Sequence, residues 1–311
     1  MARYHIVINP AARTGSGKIM WEEKVRPYLR RHNIMYKAWF STAKGDLIRI
    51  AGDICSSEIE RPIRIVVLGG DGTMNEFIQG LHGTRDIVIG YVPTGSGNDL
   101  ARGLGIPADT NQALDIIFRT GHPSLMDMGS LTYPGGNTRR FLVSCGMGFD
   151  AAVCEEAMHS SLKGSLNKLK LGKLTYLSIA IKQIFTAGRT DGTLTLGDGR
   201  EIPFSKLLFI AGMNQRYEGG GFEFCPGAQD NDGFLDLCMV QNISKGRVLI
   251  SLPLALKGKH LHIRGISTYR TDSFEIRTKE PLWVHTDGEV AQKTDALSVR
   301  IEKHAIHIMR P

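Results

Sequence analysis

Cysteine is scarce and poorly spaced for pairing. Five are present (Cys55, Cys145, Cys154, Cys225 and Cys238), no two form a CxxC pair, and an odd number cannot pair completely within one chain. A disulfide framework is thereby excluded, and buried reduced thiols in a cytosolic protein are the expected state. Long apolar runs are missing too. No stretch reaches the ~18 residues expected of a membrane span, and the longest candidate, residues 174–185, is broken by Lys182 and Gln183. The apolar run at residues 4–9 is too short for a signal peptide and reads as a buried strand. Aromatic residues make up only 7% and no recognition motif is present, so no nucleic-acid partner is expected. Acidic residues are absent between Glu156 and Asp191, and again between Asp236 and Asp272.

What is present describes an ordinary globular chain. With 311 residues, 42% hydrophobic and 22% charged, there is room for two domains with substantial cores. The formal charge of +7 favours an acidic partner without choosing between nucleotide phosphate, anionic lipid and nucleic acid. The first part alternates strand signals (residues 4–9, 35–41, 64–68 and 87–92) with helix signals (18–33, 47–55 and 75–81). That alternation predicts a parallel sheet covered by helices, with ligands at the carboxyl ends of its strands. After about Pro123, turn signals take over at 133–137, 191–192, 197–199 and 232–233. They predict hairpins and a β-sandwich, interrupted by helix at about 149–186. The expected division is an α/β nucleotide-binding domain at 1–125, to which 300–311 return, and a β-rich substrate domain at 126–299.

The strongest local feature is Leu68-Gly69-Gly70-Asp71-Gly72-Thr73-Met74-Asn75-Glu76. Glycines at the end of a buried strand permit close backbone approach, and a helix starting near Thr73 would turn its free N–H groups toward an anion. The competing reading is a plain strand–turn–helix with Thr73 as cap and Asp71 as turn residue. A second such turn runs Val92-Pro93-Thr94-Gly95-Ser96-Gly97-Asn98-Asp99, with Asn98 or Asp99 as cap. A third, Asn9-Pro10-Ala11-Ala12-Arg13-Thr14-Gly15-Ser16-Gly17-Lys18, ends the first strand. None satisfies the dinucleotide fingerprint or the GxxxxGK[ST] loop. Three glycine-rich turns at one edge of a parallel sheet nonetheless describe a phosphate-facing crevice.

These residues resemble the catalytic domain shared by diacylglycerol, sphingosine and ceramide kinases. The likeness continues, in family order, through Gly219-Gly220-Gly221, the run from Pro226 to Asp236, and Thr286-Asp287-Gly288-Glu289. The GGDGT element alone also occurs in NAD kinases. The resemblance implies a NAD-kinase/diacylglycerol-kinase-like α/β domain with a C-terminal β-sandwich, and an ATP-dependent lipid kinase using Mg²⁺. It implies nucleotide contacts at Asn9, Pro10, Ala11, Ala12, Arg13, Thr42, Gly69, Gly70, Asp71, Gly72, Thr73, Asn75 and Glu76, with Thr94, Gly95 and Asn98 closing the phosphate side. Ala12-Arg13 stands where the family usually has Ser-Gly, and Arg13 could pair with a phosphate directly. Mg²⁺ is implied at Gln229, Asp232 and Phe234, the outer two through backbone carbonyls; a turn-forming Asp-Gly is the blander reading.

The proton acceptor is implied in Asp287-Gly288-Glu289. Glu289 is the first choice, Asp287 the close competitor and Asp71 the third. Two positions apart on a strand, Asp287 and Glu289 would share a face, although an exposed hairpin turn fits the local sequence equally well. The acid-free stretches carry Lys163, Lys168, Lys170, Lys173, Lys182 and Arg189, then Lys245, Arg247, Lys257, Lys259, Arg264 and Arg270, beside apolar clusters. This suits a cytoplasmic protein that docks peripherally on an anionic membrane to reach its lipid, and a homodimer is compatible with it. His260 and His262 read as a solvated loop without metal-site spacing. Two other functions fit the motifs: a NAD-kinase-like phosphotransferase, and a non-catalytic nucleotide- or lipid-binding protein. Acyl pockets are built from generic apolar residues, so the acceptor lipid stays open.

Overall fold

The computed structural model describes residues 4–159 and 172–311, without the side chains at 13, 14, 159 and 172–177. It divides into two compact units, residues 1–128 with 303–311, and residues 129–302.

In the first unit β1 (Tyr4–Ile8), β2 (Tyr36–Phe40), β3 (Ile63–Gly69) and β4 (Ile87–Pro93) are parallel. The end of β13 (Glu289–Arg310) joins them through His307 and Ile308, giving the order β13–β4–β3–β1–β2. β3 and β4 are buried at nearly every position, as expected of parallel strands covered on both faces. The cover consists of α1 (Ala12–Met20), which runs through a π turn at Trp21–Val25 into α2 (Arg26–Arg31), followed by α3 (Asp46–Ser57), α4 (Asp71–Gln79), α5 (Asp99–Gly103) and α6 (Thr110–Asp115). Leu47, Ile50, Ala51 and Ile54 of α3 are buried at helical spacing. The first helix starts six residues before the predicted residue 18, so its glycines lie inside it. Gly17 is required there, because a Cβ would strike the Asn9 carbonyl oxygen.

The second unit is antiparallel. Its strands are the 129–132 end of β5 (His122–Thr132), β6 (Thr138–Phe141), β7 (Ser144–Gly148), β8 (Thr190–Leu196), β9 (Glu201–Met213), β10 (Leu235–Gln241), β11 (Ile266–Thr271), β12 (Ser273–Thr286) and most of β13. β11, β10, β9, β7, β12 and β13 are neighbours in that order. α7 (Phe149–His159), α8 (Gly172–Thr186) and α9 (Lys245–Ala255) complete it. β10 shows how one sheet serves two cores. Leu235, Leu237 and Met239 enter one with Phe141, Phe204, Phe274 and Val284, while Cys238 and Val240 enter another with Phe149, Ile184 and Val248.

Two local expectations are corrected. Asp191-Gly192 is not a turn but lies within β8. Gly192 is there because a Cβ would collide with the Arg277 carbonyl and the Phe204 ring. His260 is 2% exposed rather than solvated; it packs against Phe224 and lies 3.9 Å from Cys238 Sγ, and burial lowers its pKa. His262 is exposed.

Candidate functional site

Because β1, β3 and β4 are parallel, their exits lie at one edge, and the three glycine-rich turns follow them. The turns are tied to one another. Asn9 Nδ2 donates to Thr73 Oγ1 at 3.1 Å, and Thr94 N–H donates to the Gly69 carbonyl at 2.8 Å. A Cβ at Gly70 would come within 3.1 Å of Gly95 Cα, and one at Gly95 within 3.0 Å of Gly70 Cα. Both glycines are required by that backbone-to-backbone approach.

α4 starts at Asp71, two residues earlier than Thr73, and no side chain caps it. Thr73 accepts from Asn9 instead. Asn98 occupies the expected N-cap position of α5, but its side chain does not do the capping. Asn98 is left-handed (φ 51°) and makes no cap bond; Asp71 does the work from the neighbouring turn, Oδ2 accepting from Asp99 N–H at 3.0 Å and Oδ1 from Leu100 N–H at 3.3 Å. Asp99 pairs with Arg102. Beneath them, burial and then the charges of Asp71 and Asp99 raise the Tyr91 pKa well above its ordinary value, the mark of a poorly solvated floor.

Other residues of the predicted nucleotide set are engaged in the fold. Glu76 Oε1 accepts from the N–H groups of Gly45 and Leu47 at 2.7 and 3.2 Å, at the start of α3. Thr42 donates through both N–H and Oγ1 to Asp46, and these bonds hold the Asp46 pKa at about 2. Asn75 is fully buried. By contrast, Thr94 Oγ1 and Asn98 Oδ1 are buried atoms without a hydrogen-bond partner among the described residues. The Arg13 side chain, assigned to a phosphate from the sequence, lies outside the described residues.

In the second unit β12 and β13 are joined by the two-residue turn Asp287-Gly288, with φ of 49° and 81°. Positive φ at both positions makes it a type I′ hairpin turn. Asp287 and Glu289 therefore do not share a strand face: Asp287 is in the turn, and Glu289 opens β13 opposite Thr286. The Asp287 carboxylate accepts three backbone N–H groups, from Leu142, Val143 and Ser144, at 3.0, 2.8 and 3.1 Å. Glu289 is half-buried, and its side chain makes no hydrogen bond or ion pair among the described residues.

Sequence reasoning passed over what lies behind this turn. His285, fully buried, places Nε2 at 3.1 Å from both Asp150 Oδ2 and Glu218 Oε1, and its Nδ1 accepts from Gly288 N–H at 3.1 Å. Both carboxylates are themselves buried. Burial opposes charge on the ring, but Glu218 and Asp150 outweigh it and raise the His285 pKa well above its ordinary value. The local signal was a histidine at the buried end of an apolar strand; its partners, 135 positions away at Asp150 and elsewhere at Glu218, leave no local pattern.

With this geometry in hand, comparison with known proteins is decisive. Residues 3–131 match the diacylglycerol kinase catalytic domain, and residues 143–310 match the YegS C-terminal NAD kinase beta sandwich-like domain. The chain belongs to the diacylglycerol kinase catalytic-domain family. It is 29% identical over 249 residues to a diacylglycerol kinase of Mycobacterium tuberculosis, covering 79% of this chain and 76% of that one. It is 27% identical over 310 residues to a diacylglycerol kinase of Staphylococcus carnosus, covering 97% and 93%. A crystal structure of a diacylglycerol kinase from Bacillus anthracis shares the fold, with a TM-score of 0.69 at 20% identity, covering 100% and 97%.

The positions at which the sequence resemblance implies a metal, Gln229, Asp232 and Phe234, include a salt-bridged turn. Asp232 Oδ1 accepts from Phe234 N–H at 2.9 Å, its Oδ2 pairs with Arg270, and the Arg270 guanidinium lies 5.1 Å from the centre of the Phe234 ring. Gln229 is exposed nearby in sequence. Carboxylate and carbonyl oxygens are the donors a hard cation takes, and Arg270 is the positive charge that such an ion would replace.

Proposed function

We propose that this chain is an ATP-dependent lipid kinase that transfers the γ-phosphate to a lipid hydroxyl. The observation that carries the reading is the buried Thr94 hydroxyl, without a partner among the described residues, in the turn packed against the uncapped start of α4. A buried hydroxyl without a partner costs about 1–3 kcal/mol, a cost that a bound phosphate oxygen would remove. N–H groups at a helix start are the natural donors to the same anion. Little covalent chemistry falls to the protein in phosphoryl transfer, so holding the phosphates and accepting one proton are its main tasks.

Of the three carboxylates considered as base, Asp287 spends both oxygens on backbone amides, and Asp71 spends both capping α5. Glu289 is uncommitted and takes the role. The lipid hydroxyl gives its proton to Glu289, its oxygen bonds to the γ-phosphorus, the bridging P–O bond breaks, and ADP leaves. Mg²⁺ held by oxygens of Gln229, Asp232 and Phe234 would supply hard positive charge in place of Arg270.

Access to a lipid is supported by the second unit's surface. Ile181 and Phe185 of α8 and Leu249 and Ile250 of α9 are exposed, beside Lys182, Lys245 and Arg247. Lys245 donates to the Phe185 carbonyl at 3.3 Å, so the two helices share this patch. Apolar residues among cations suit an anionic leaflet. The basic and apolar residues at 163–177 also expected there lie outside the described residues. Among the described residues no helix is long and apolar enough to cross a membrane.

The test is radiolabelled ATP supplied with vesicles containing diacylglycerol, phosphatidylglycerol, sphingosine or undecaprenol, and with NAD in parallel. Label in a lipid is expected. Label in NAD alone, or ATP binding without any transfer, overturns the proposal.

A further inference from the structure

The buried group formed by Asp150, Glu218 and His285 has the composition of a metal site, and its hydrogen bonding also describes a histidine clamped between two carboxylates. In the neutral ring Gly288 N–H donates to Nδ1, which then presents its lone pair, and the ring's proton sits on Nε2. If the ring takes a second proton it goes to Nδ1, and Nε2 stays protonated. In both states Nε2 is a donor, aimed at two carboxylate oxygens.

Room for this arrangement is built into the sheet. Gly146 of β7 lies opposite His285 of β12, and a Cβ there would collide with Asp150 Oδ2 and His285 Nε2. Asp150 is fixed in turn by Ala151 N–H, 2.8 Å from its Oδ1. The ring is thus held at one nitrogen by α7 and by the residue preceding the Gly219-Gly220-Gly221 loop. Its other nitrogen holds the backbone of Gly288, immediately before Glu289. The Asp287 carboxylate binds the opposite side of the same turn to residues 142–144. A two-residue turn restrained from both sides has little freedom to reorient the residue that follows.

We infer that His285 is a positioning residue for the proton acceptor: clamped between Asp150 and Glu218, it fixes the Gly288 amide and so the direction in which Glu289 leaves the turn. The inference rests on the reading of Glu289 as base and adds the device that aims it. An aim lost by ~1 Å costs on the order of 10²-fold in turnover while leaving binding unchanged.

Two substitutions separate the ring's nitrogens. His285→Asn keeps an acceptor near the Nδ1 position and gives up the reach to the carboxylates. His285→Gln keeps a donor near Nε2 and gives up the acceptor. The expected result is a loss of kcat on the order of 10²-fold for His285→Gln, and a smaller loss, on the order of 10-fold, for His285→Asn, which keeps the bond to Gly288 but not the clamp, with KM for ATP and lipid unchanged. Equal losses that follow the melting temperatures, or normal turnover in His285→Gln, would overturn the inference. Imidazole ¹⁵N spectra of the unaltered protein test it without any variant: a protonated Nε2 and a bare, hydrogen-bonded Nδ1 are expected once the pH exceeds the raised His285 pKa, and a bare Nε2 sinks it. Glu289→Gln is measured alongside. If that variant turns over normally, the reading of Glu289 fails; if it is inactive while His285→Gln is normal, only the positioning role fails.

Discussion

Asp71 Oδ2 accepts the backbone N–H of Asp99 at 3.0 Å, so the first residue of α4 caps the helix that follows the next strand. Asp71→Ala removes this bond and the one from Leu100. Loss of a cap costs about 0.5–2 kcal/mol, which lowers the melting temperature by roughly 1–8 °C in a unit of this size. The second turn then loses its anchor, and lipid phosphorylation falls to background. A differential scanning experiment beside the kinase assay checks both; full turnover in a destabilised Asp71→Ala would refute the assignment.

Thr94→Val tests whether the partnerless hydroxyl serves a ligand. Valine has the same shape and no buried hydroxyl, so the free protein should melt at or slightly above the wild-type temperature. A hydrogen bond to a charged group contributes about 1.5–3 kcal/mol, so ATP should bind roughly 10–150-fold more weakly. Calorimetric titration with ATP measures it. Unchanged affinity would leave the hydroxyl without a role.

Arg270→Ala frees Asp232 Oδ2. Thermal melts with increasing Mg²⁺ should then show a larger stabilisation than in the wild type, because the competing guanidinium is gone. Identical Mg²⁺ responses would remove Gln229, Asp232 and Phe234 from consideration as a metal site.

Ile250→Glu on α9 should reduce co-sedimentation with anionic vesicles while leaving activity on a detergent-dispersed lipid near normal. Full insertion of an isoleucine side chain into an apolar phase contributes about 1.5–3 kcal/mol, so binding should fall roughly tenfold or more. Vesicle binding at wild-type strength would exclude this face.

Cysteine reactivity follows from burial. Burial pushes the Cys154 and Cys238 thiols up to about 12, and Cys145 and Cys225 well above their ordinary value. The thiolate is the reactive form, and a raised pKa depopulates it at pH 8. Iodoacetamide should leave these four unmodified in the native protein and label them after denaturation, as read by mass spectrometry.

The first unit was largely legible because its strands are buried on both faces. Apolar runs such as residues 64–68 identify themselves, and glycines mark where they end. Elsewhere local pattern misled wherever a residue's environment came from far along the chain. Asp71 looked like a turn residue or a catalytic one, yet it caps a helix 28 positions on. Asp191-Gly192 carries turn chemistry, but the strand bearing Arg277 needed a glycine beside it. Asp287 and Glu289 obey the two-residue rule only if the strand runs straight, and the strand reverses between them. His285 was invisible as a site because Asp150 and Glu218 arrive from separate elements.

β13 has a consequence for how the chain acquires its structure. Its last residues, including the fully buried Ile306 and Ile308, pair with β4, the last of the parallel strands β1–β4, which ends at Pro93. During synthesis the emerging first unit must wait for ~200 further residues, roughly ten to forty seconds at bacterial-like translation rates of ~5–20 residues per second. Through that interval β4 has an unpaired, apolar edge, which is the surface a chaperone or a misfolded neighbour would meet first.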